Sequence, residues 1–290
     1  MERKLSALVT GCGKGGIGHA LASQFIAGGY TVIATLLPHE ARDHLEDLGV
    51  HVFISDVTSD SQCESLLDSI RDLTQGKLDV LINNAGIVYT MPAVDTDVSQ
   101  VEKMFAVNVL GPMRMVRVFH KSIVAAKGTI VNIGSIGGIV PYIYGASYNA
   151  SKAALHAYGN TLRAEMKPFG VKVITVISGE VGTNILKRDY DASLPADSIF
   201  QPLSEEFKAH VRRTPNTMTP AEYASGVYAE VQKSSPSAWF WHGNLTTIIR
   251  ILDAMLPRTF WDWFFARDFQ FDKLRKAVEE GEKAREKKVD

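Results

Sequence analysis

The sequence predicts an α/β fold with one doubly wound parallel sheet in three layers, followed by an aromatic helical C-terminal extension. Between residues 5 and about 180, short apolar runs alternate with longer amphipathic stretches, as strand–helix–strand repeats do. Several runs are rich in Val and Ile and lack polar alternation, which is typical of strands covered on both faces. No repeat and no Pro/Gly/Ser-rich linker divides this part of the chain. We therefore expect one catalytic domain over residues 1–240 and an extension with a charged tail over residues 241–290.

The apolar runs predict six strands, and the amphipathic stretches between them predict five helices. The strands are expected at residues 5–9, 31–35, 51–54, 80–83, 128–133 and 172–177. The helices are expected at residues 18–28, 39–48, 61–74, 98–126 and 148–167.

Composition excludes several classes of protein. The 290 residues are 46% hydrophobic and 22% charged, which excludes a disordered or collagen-like chain. With 31 basic and 32 acidic residues there is no global positive field for a nucleic acid. Neither the two cysteines nor the histidines have metal-ligand spacing, so no metal is expected. No secretory segment and no run of 18 apolar residues stands out, which predicts a cytoplasmic, intracellular protein.

A glycine-rich turn follows the first strand and precedes the first helix. Residues 10–18 read TGCGKGGIG, with five glycines in eight positions. Glycines let the backbone turn tightly and approach a pyrophosphate, while the N–H groups of the helix N-terminus point at the anion. A purely structural turn is the alternative. The residues expected at a dinucleotide are Thr10, Gly11, Gly13, Lys14, Gly16, Ile17 and Gly18.

The end of the second strand bears on the choice of cofactor. An acidic residue there would hydrogen-bond the ribose 2′-OH of NAD, and residues 35–37 (Thr-Leu-Leu) contain none. Lys14 places a positive charge near the expected 2′-phosphate, whereas Arg42 lies further along the chain. These observations favour NADP(H).

A serine, a tyrosine and a lysine form the candidate catalytic set. Ser135 follows a strand, and Tyr148 and Lys152 are spaced i, i+4, so their side chains share one helix face. A nearby ammonium favours the phenolate and should lower the pKa of the tyrosine. Such a tyrosine can give a proton to a carbonyl or take one from an alcohol. Each residue alone would be unremarkable on a helix or a strand end.

Together these motifs resemble the short-chain dehydrogenase/reductase family, in particular the fungal branch that includes NADPH-dependent 1-acyldihydroxyacetone phosphate reductase. Asp56-Val57, Asn83-Asn84-Ala85-Gly86, Asn108, Ser135 and Tyr148-x-x-x-Lys152 follow in the order of the family. The resemblance implies that Ser135 binds the substrate oxygen, that Lys152 also holds the nicotinamide ribose, and that Asn108 links Lys152 to a water relay. It further implies cofactor contacts from Asp56, Val57, Asn83, Ala85, Gly86, Val107, Tyr148, Lys152, Gly179, Val181 and Thr183.

The chain departs from the family after the sixth strand, where Ser178 stands in place of the usual proline. Glu180 is either a solvated loop charge or a substrate contact. Residues 184–215, irregular in composition and containing three prolines, are expected to form a lid over the substrate. The predicted pocket is made by residues 89–96, 136–145 and 184–215.

The C-terminal extension is dominated by aromatic residues. Residues 239–271 contain all four tryptophans and six of the thirteen phenylalanines, and residues 272–290 carry seven basic and six acidic side chains and no aromatic one. The aromatic segment either packs on the sheet or a partner subunit, or closes the substrate pocket, or meets a membrane interface through residues 245–271, for instance at the endoplasmic reticulum or a lipid droplet. The resemblance implies a homodimer or homotetramer formed through the helices over 98–126 and 148–167, and the alternative is that their apolar faces lie in the core.

The leading hypothesis is an NADP(H)-dependent carbonyl reductase or alcohol dehydrogenase. Its substrate would be a bulky apolar ketone or alcohol, a lipid or a secondary metabolite, with Tyr148 as general acid or base. The alternatives are a redox-neutral biosynthetic enzyme, such as a dehydratase, an epimerase or a pericyclase-like protein, and a non-catalytic NADP-binding protein. The combined presence of Asn108, Ser135, Tyr148 and Lys152 argues against the redox-neutral enzyme.

Overall fold

The computed structural model describes residues 3–187, 189–213, 215 and 217–287. Seven strands form one sheet: β1 (Ser6–Val9), β2 (Thr31–Leu36), β3 (His51–Ile54), β4 (Val80–Asn83), β5 (Thr129–Ile133), β6 (Lys172–Ser178) and β7 (Trp239–His242). Their spatial order is β3-β2-β1-β4-β5-β6-β7, and every neighbouring pair is parallel. The predicted α/β fold is confirmed, and the six predicted strands agree with β1–β6 to within one residue at each end.

Helices connect the strands and follow the last one. They are α1 (Ile17–Ala27), α2 (Asp43–Glu46), α3 (Asp60–Ser69), α4 (Arg71–Thr74), α5 (Val98–Phe105), α6 (Gly111–Ala126), α7 (Ala146–Met166), α8 (Ser204–Val211), α9 (Pro220–Val231), α10 (Thr246–Met255), α11 (Thr259–Asp268) and α12 (Phe271–Glu286). A π-helical turn over Ala106–Leu110 joins α5 to α6.

Alternate residues of each central strand enter two different cores, which makes the three layers. Ala7 and Val9 of β1 pack with Phe25 of α1 and Tyr223 of α9 on one face of the sheet. Leu8 packs on the other face, in a core to which α3, α6 and α7 contribute. Burial on both faces explains the continuous apolar character of these strands.

The segment predicted as a helix over 98–126 is helical throughout, whereas the prediction of a helix over 39–48 is wrong for most of that range. The helix expected over 98–126 is interrupted by the π-helical turn, because Pro112 has no N–H to donate to the carbonyl four residues earlier. The helix expected over 39–48 is reduced to α2, since the segment before it forms a turn in which Glu40 N–H donates to the Leu37 carbonyl at 3.0 Å.

Several elements are absent from the sequence prediction, among them β7 and α9. Strand β7 lies beside β6, with Trp239 opposite Thr175 and His242 opposite Ser178. The expected division between residues 240 and 241 therefore falls inside a strand of the sheet. Helix α9 begins with a capping box in which Thr219 and Glu222 exchange hydrogen bonds.

The C-terminal extension folds against the rest of the chain. Trp261, Phe265 and Phe269 are buried in a third cluster together with Val140 and Phe207. The charged segment beyond it forms α12, which buries no residue, and residues 288–290 lie outside the described part of the chain. None of the helices described is long and apolar enough to cross a membrane.

Candidate active site

One large cavity lies at the carboxyl ends of β1, β4, β5 and β6, beside the point where the strand order reverses. In open parallel sheets this is where ligands bind. The cavity has a volume of about 1110 Å³ and runs from the glycine-rich turn to the C-terminal helices α10 and α11. The predicted residues that line it are Gly11, Gly13, Lys14, Gly16, Ile17, Asp56, Val57, Ala85, Gly86, Val107, Ser135, Tyr148, Lys152, Gly179, Val181 and Thr183.

The glycine-rich turn has the geometry of an anion cradle. Gly11 has φ of +68°, and a Cβ on Gly18 would lie 2.4 Å from the Gly11 carbonyl oxygen, so neither position accepts a larger residue easily. Gly16 caps α1 without any side-chain hydrogen bond to the first turn. The N–H groups at the start of α1 thus face the cavity without a side-chain cap, as binding of a phosphate requires. A dinucleotide fits this cradle.

Thr10 and Asn83 lie behind the cavity wall rather than on it. The Thr10 hydroxyl accepts hydrogen bonds from the N–H groups of Asn84 and Ala85, both at 3.0 Å. The Asn83 amide donates to Asn132 Oδ1 at 2.9 Å and joins the ends of β4 and β5. Both side chains are buried. Thr10 therefore fixes the loop after β4 to the end of β1, and Asn83 fixes the end of β4 to β5.

Tyr148 and Lys152 lie one turn apart on α7. The Lys152 ammonium is 5.7 Å from the centre of the Tyr148 ring and donates to the Ile133 carbonyl at 2.9 Å. Burial lowers the pKa of Lys152 to about 8. Burial also raises the pKa of Tyr148, and a hydrogen bond with Ser135 acts in the opposite direction. The expectation that the ammonium lowers the pKa of this tyrosine is therefore wrong for the chain without ligand, because desolvation is the larger effect.

Asn108 is fixed within the π-helical turn, and its side chain is fully engaged. Its amide oxygen accepts from Ile87 N–H at 2.9 Å, while its amide nitrogen donates to the Ile87 carbonyl at 2.9 Å and to Ser151 Oγ at 3.1 Å. A Cβ on Gly86 would lie 3.4 Å from Asn108 Oδ1 and 3.7 Å from Lys152 Nζ, so Gly86 sits between the two side chains. The expected water relay stays a prediction.

His156 contacts the backbone of Ser135, and it was not among the site residues predicted from the sequence. Its Nε2 accepts a hydrogen bond from Ser135 N–H at 3.2 Å, and burial lowers its pKa to about 4. Cβ atoms on Gly134 or Gly138 would clash with its ring. The spacing of Tyr148, Lys152 and His156, four residues each, puts all three on one helix face and is the signal by which His156 could have been found.

The part of the cavity beyond Tyr148 has apolar walls and one ion pair. Arg213 Nη2 lies 2.9 Å from Glu180 Oε1, and its guanidinium is 5.5 Å from the centre of the Tyr142 ring. Glu180 is thus a partly buried residue of the cavity wall rather than a solvated loop charge. The apolar lining from the C-terminal helices is Leu245, Ile248, Ile249, Leu252, Trp261, Phe264 and Phe265.

The predicted pocket segments contribute unequally. Residues 136–145 and the lid supply many lining side chains, whereas Thr90 represents residues 89–96. The lid is partly regular, since it contains α8. Arg188 and Thr214, which belong to the predicted lid, lie outside the described residues. Within the described ranges, no group of three or more His, Cys, Asp or Glu side chains could hold a metal ion.

Comparisons with known proteins identify the family of the chain. The short chain dehydrogenase family matches residues 6–193 of the chain. A short-chain dehydrogenase, RED1 of Pyricularia oryzae, is 60% identical over 271 residues, covering 92% of this chain and 95% of that protein. An NADPH-dependent 1-acyldihydroxyacetone phosphate reductase of Schizosaccharomyces pombe is 37% identical over 271 residues, covering 89% of this chain and 91% of that protein.

A solved structure, the closed form of a serine dehydrogenase complexed with NADP+, superposes with a TM-score of 0.72. It is 26% identical in sequence and covers 83% of this chain and 96% of that chain. The resemblance inferred from the motifs is confirmed, and this chain belongs to the short-chain dehydrogenase family.

Proposed function

We propose that the protein is an NADP(H)-dependent oxidoreductase that interconverts a bulky apolar ketone and its alcohol, a lipid or a secondary metabolite. The observation that carries this proposal is a partly buried tyrosine, hydrogen-bonded to Ser135 and one helical turn from Lys152, at the junction between a dinucleotide cradle and a mostly apolar cavity. Members of this family transfer hydride through a nicotinamide cofactor, and the protein supplies geometry and proton chemistry.

The residues of this chain would divide the work as follows. The cradle from Gly11 to Gly16 would hold the pyrophosphate, and Asp56 and Val57, which line the cavity, would contact the adenine. Ser135 would hydrogen-bond the substrate oxygen, and Tyr148 would deliver a proton to it during reduction. The raised pKa of Tyr148 keeps the phenol protonated at neutral pH, which is the form that reduction needs.

Lys14 supports NADP(H) over NAD(H). It is exposed, lies on the cavity wall within the glycine-rich turn, and offers a positive charge to a 2′-phosphate. The serine dehydrogenase with NADP+ and the NADPH-dependent reductase point the same way. The substrate class rests on the apolar side chains of α10 and α11 and on the volume of the cavity.

The decisive experiment follows NADPH absorbance against a panel of bulky ketones and aldehydes. Oxidation of NADPH coupled to alcohol formation supports the proposal, whereas product formed without NADPH consumption would favour a redox-neutral enzyme. Tyr148→Phe removes the proton donor and should lower turnover at least ~10²-fold while binding of NADPH is retained. Tyr158→Phe, on the same helix but outside the cavity, is the matched control. Equal turnover in the wild type and Tyr148→Phe would refute the mechanism.

The oligomeric state, the cellular location and membrane contact form a second part of the proposal. We propose a cytoplasmic homodimer or homotetramer, with peripheral membrane contact through residues 245–271. Exposed apolar side chains on α10 and α11 support a contact surface there, among them Ile248, Ile251, Met255 and Trp263. Light scattering measures the oligomeric state, and flotation with liposomes of neutral and anionic lipid tests the membrane contact. Failure of the intact chain to float with either would remove the membrane contact.

A further inference from the structure

The turn after β2 carries an acidic side chain that folds back onto the glycine-rich turn. Glu40 Oε2 accepts a hydrogen bond from Leu37 N–H at 2.7 Å, and Glu40 N–H donates to the Leu37 carbonyl at 3.0 Å. A Cβ on Gly13 would lie 2.4 Å from Glu40 Oε1. The carboxylate therefore rests against the glycine-rich turn. Glu40 lies three positions beyond residues 35–37, the segment in which an acid that binds NAD is expected.

This position is where the adenosine ribose of a dinucleotide is expected, between the glycine-rich turn and the end of the second strand. Leu36, Leu37, His39 and Glu40 line the cavity on one side of this space, and Gly13 and Lys14 line it on the other. Glu40 and Lys14 thus bring opposite charges to the same subsite. An acid favours a ribose 2′-OH by accepting its hydrogen bond, and it repels a 2′-phosphate.

We propose that Glu40 sets cofactor selectivity in this chain, by opposing the 2′-phosphate that Lys14 attracts and by accepting a hydrogen bond from the 2′-OH of NADH. The inference rests on the proposed function, since it concerns the same dinucleotide site. The backbone hydrogen bond from Leu37 holds one carboxylate oxygen, and the other faces Gly13. Glu40 consequently reduces, without reversing, the preference for NADPH that Lys14 gives this subsite.

Direct binding of NADPH and NADH, measured by calorimetry without substrate, tests the proposal independently of turnover. Glu40→Gln removes the charge but keeps an oxygen that can accept from Leu37 N–H. It should tighten NADPH about tenfold relative to NADH, because one unit of like charge near the 2′-phosphate is removed. Lys14→Ala should do the opposite and weaken NADPH with little effect on NADH.

Glu46→Gln is the matched control, since it makes the same change in charge on the exposed α2, where Glu46 pairs with Arg42 and lies outside the cavity lining. It should leave the ratio of the two affinities unchanged. Glu40→Ala separates charge from turn geometry, and thermal unfolding of each variant reports whether the turn survives.

The outcomes distinguish this inference from the proposed function. If both dinucleotides bind and Glu40→Gln leaves their affinity ratio at the wild-type value, Glu40 has no role in selectivity, and the proposed function stands. If neither dinucleotide binds the wild type, the proposed function itself fails.

Discussion

Replacing Lys152 by methionine should stabilise the folded protein at neutral pH, although it removes a residue proposed to be catalytic. Lys152 is only 6% exposed, and its ammonium donates to the Ile133 carbonyl at 2.9 Å. Burial lowers its pKa from 10.5 to about 8, so the folded chain holds the charged form against a desolvation cost. Methionine has a similar length and no charge, and it removes that cost. Sites tuned for chemistry commonly reduce stability in this way.

The size of the effect follows from the pKa shift. A change from 10.5 to about 8 makes the charged form about 3 kcal/mol less favourable in the folded chain than in the unfolded one. Below pH 8 both states are protonated and the whole cost is present. Between pH 8 and pH 10.5 the unfolded chain binds more protons, so the stability of the wild type rises with pH. From pH 7 to pH 9.5 this site should contribute a gain of about 2 kcal/mol that Lys152→Met lacks.

Urea unfolding of both proteins at pH 7 and pH 9.5 measures this difference. The advantage of the methionine variant should shrink by about 2 kcal/mol between the two pH values. The lost hydrogen bond to Ile133 shifts the variant's stability at both pH values and does not produce this change. Lys121→Met, at an exposed position on α6, controls for placing an apolar side chain on the protein. An advantage of equal size at both pH values would refute the reasoning.

Two further predictions concern the cradle and the support of Ser135. Gly18→Ala should cost about 1–3 kcal/mol of stability in urea unfolding and weaken dinucleotide binding, because its Cβ would lie 2.4 Å from the Gly11 carbonyl oxygen. Gly281→Ala in α12, with open space around it, should cost nothing. Since burial lowers the pKa of His156 from 6.5 to about 4, wild-type stability should fall by about 2 kcal/mol from pH 7 to pH 4.5, and His156→Leu should lose less. An equal loss of unfolding free energy in the two proteins between pH 7 and pH 4.5 would contradict this.

The fold was largely predictable because the signals for it are local. Each of β1–β6 is a short apolar run between turn residues, and for β1, β2, β4, β5 and β6 burial on both faces requires such a run. Strand β7 was not predicted because its four residues, Trp-Phe-Trp-His, are only partly buried at the edge of the sheet. Its formation depends on pairing with β6, which a local pattern does not show. Helix α9 carries a local signal, Thr219 followed by Glu222 three residues later, that indicates an N-terminus.

The site was predictable where its geometry is helical and unpredictable where it depends on loops. Tyr148 and Lys152 meet because a helix places i and i+4 together, which spacing alone reveals. Glu40 and Arg213 reach the cavity through turns whose paths no periodicity encodes. The predicted lowering of the Tyr148 pKa was wrong for a related reason. A sequence shows which charges are nearby but not how far a side chain is buried.

Burial shifts the pKa values of Tyr148 and Lys152 in opposite directions, and both shifts bear on the direction of the proposed reaction. It raises the pKa of the tyrosine and lowers that of the lysine, so both move toward their neutral forms. A protonated phenol can deliver a proton to a carbonyl at once, whereas oxidation of an alcohol needs the phenolate as base. Lys152, with a pKa of about 8, remains largely charged at neutral pH and can support the phenolate that forms after proton transfer. In the proposed reaction, the protonated phenol is the form that carbonyl reduction uses at neutral pH, whereas alcohol oxidation would need either alkaline conditions or a bound group that restores positive charge beside the phenol.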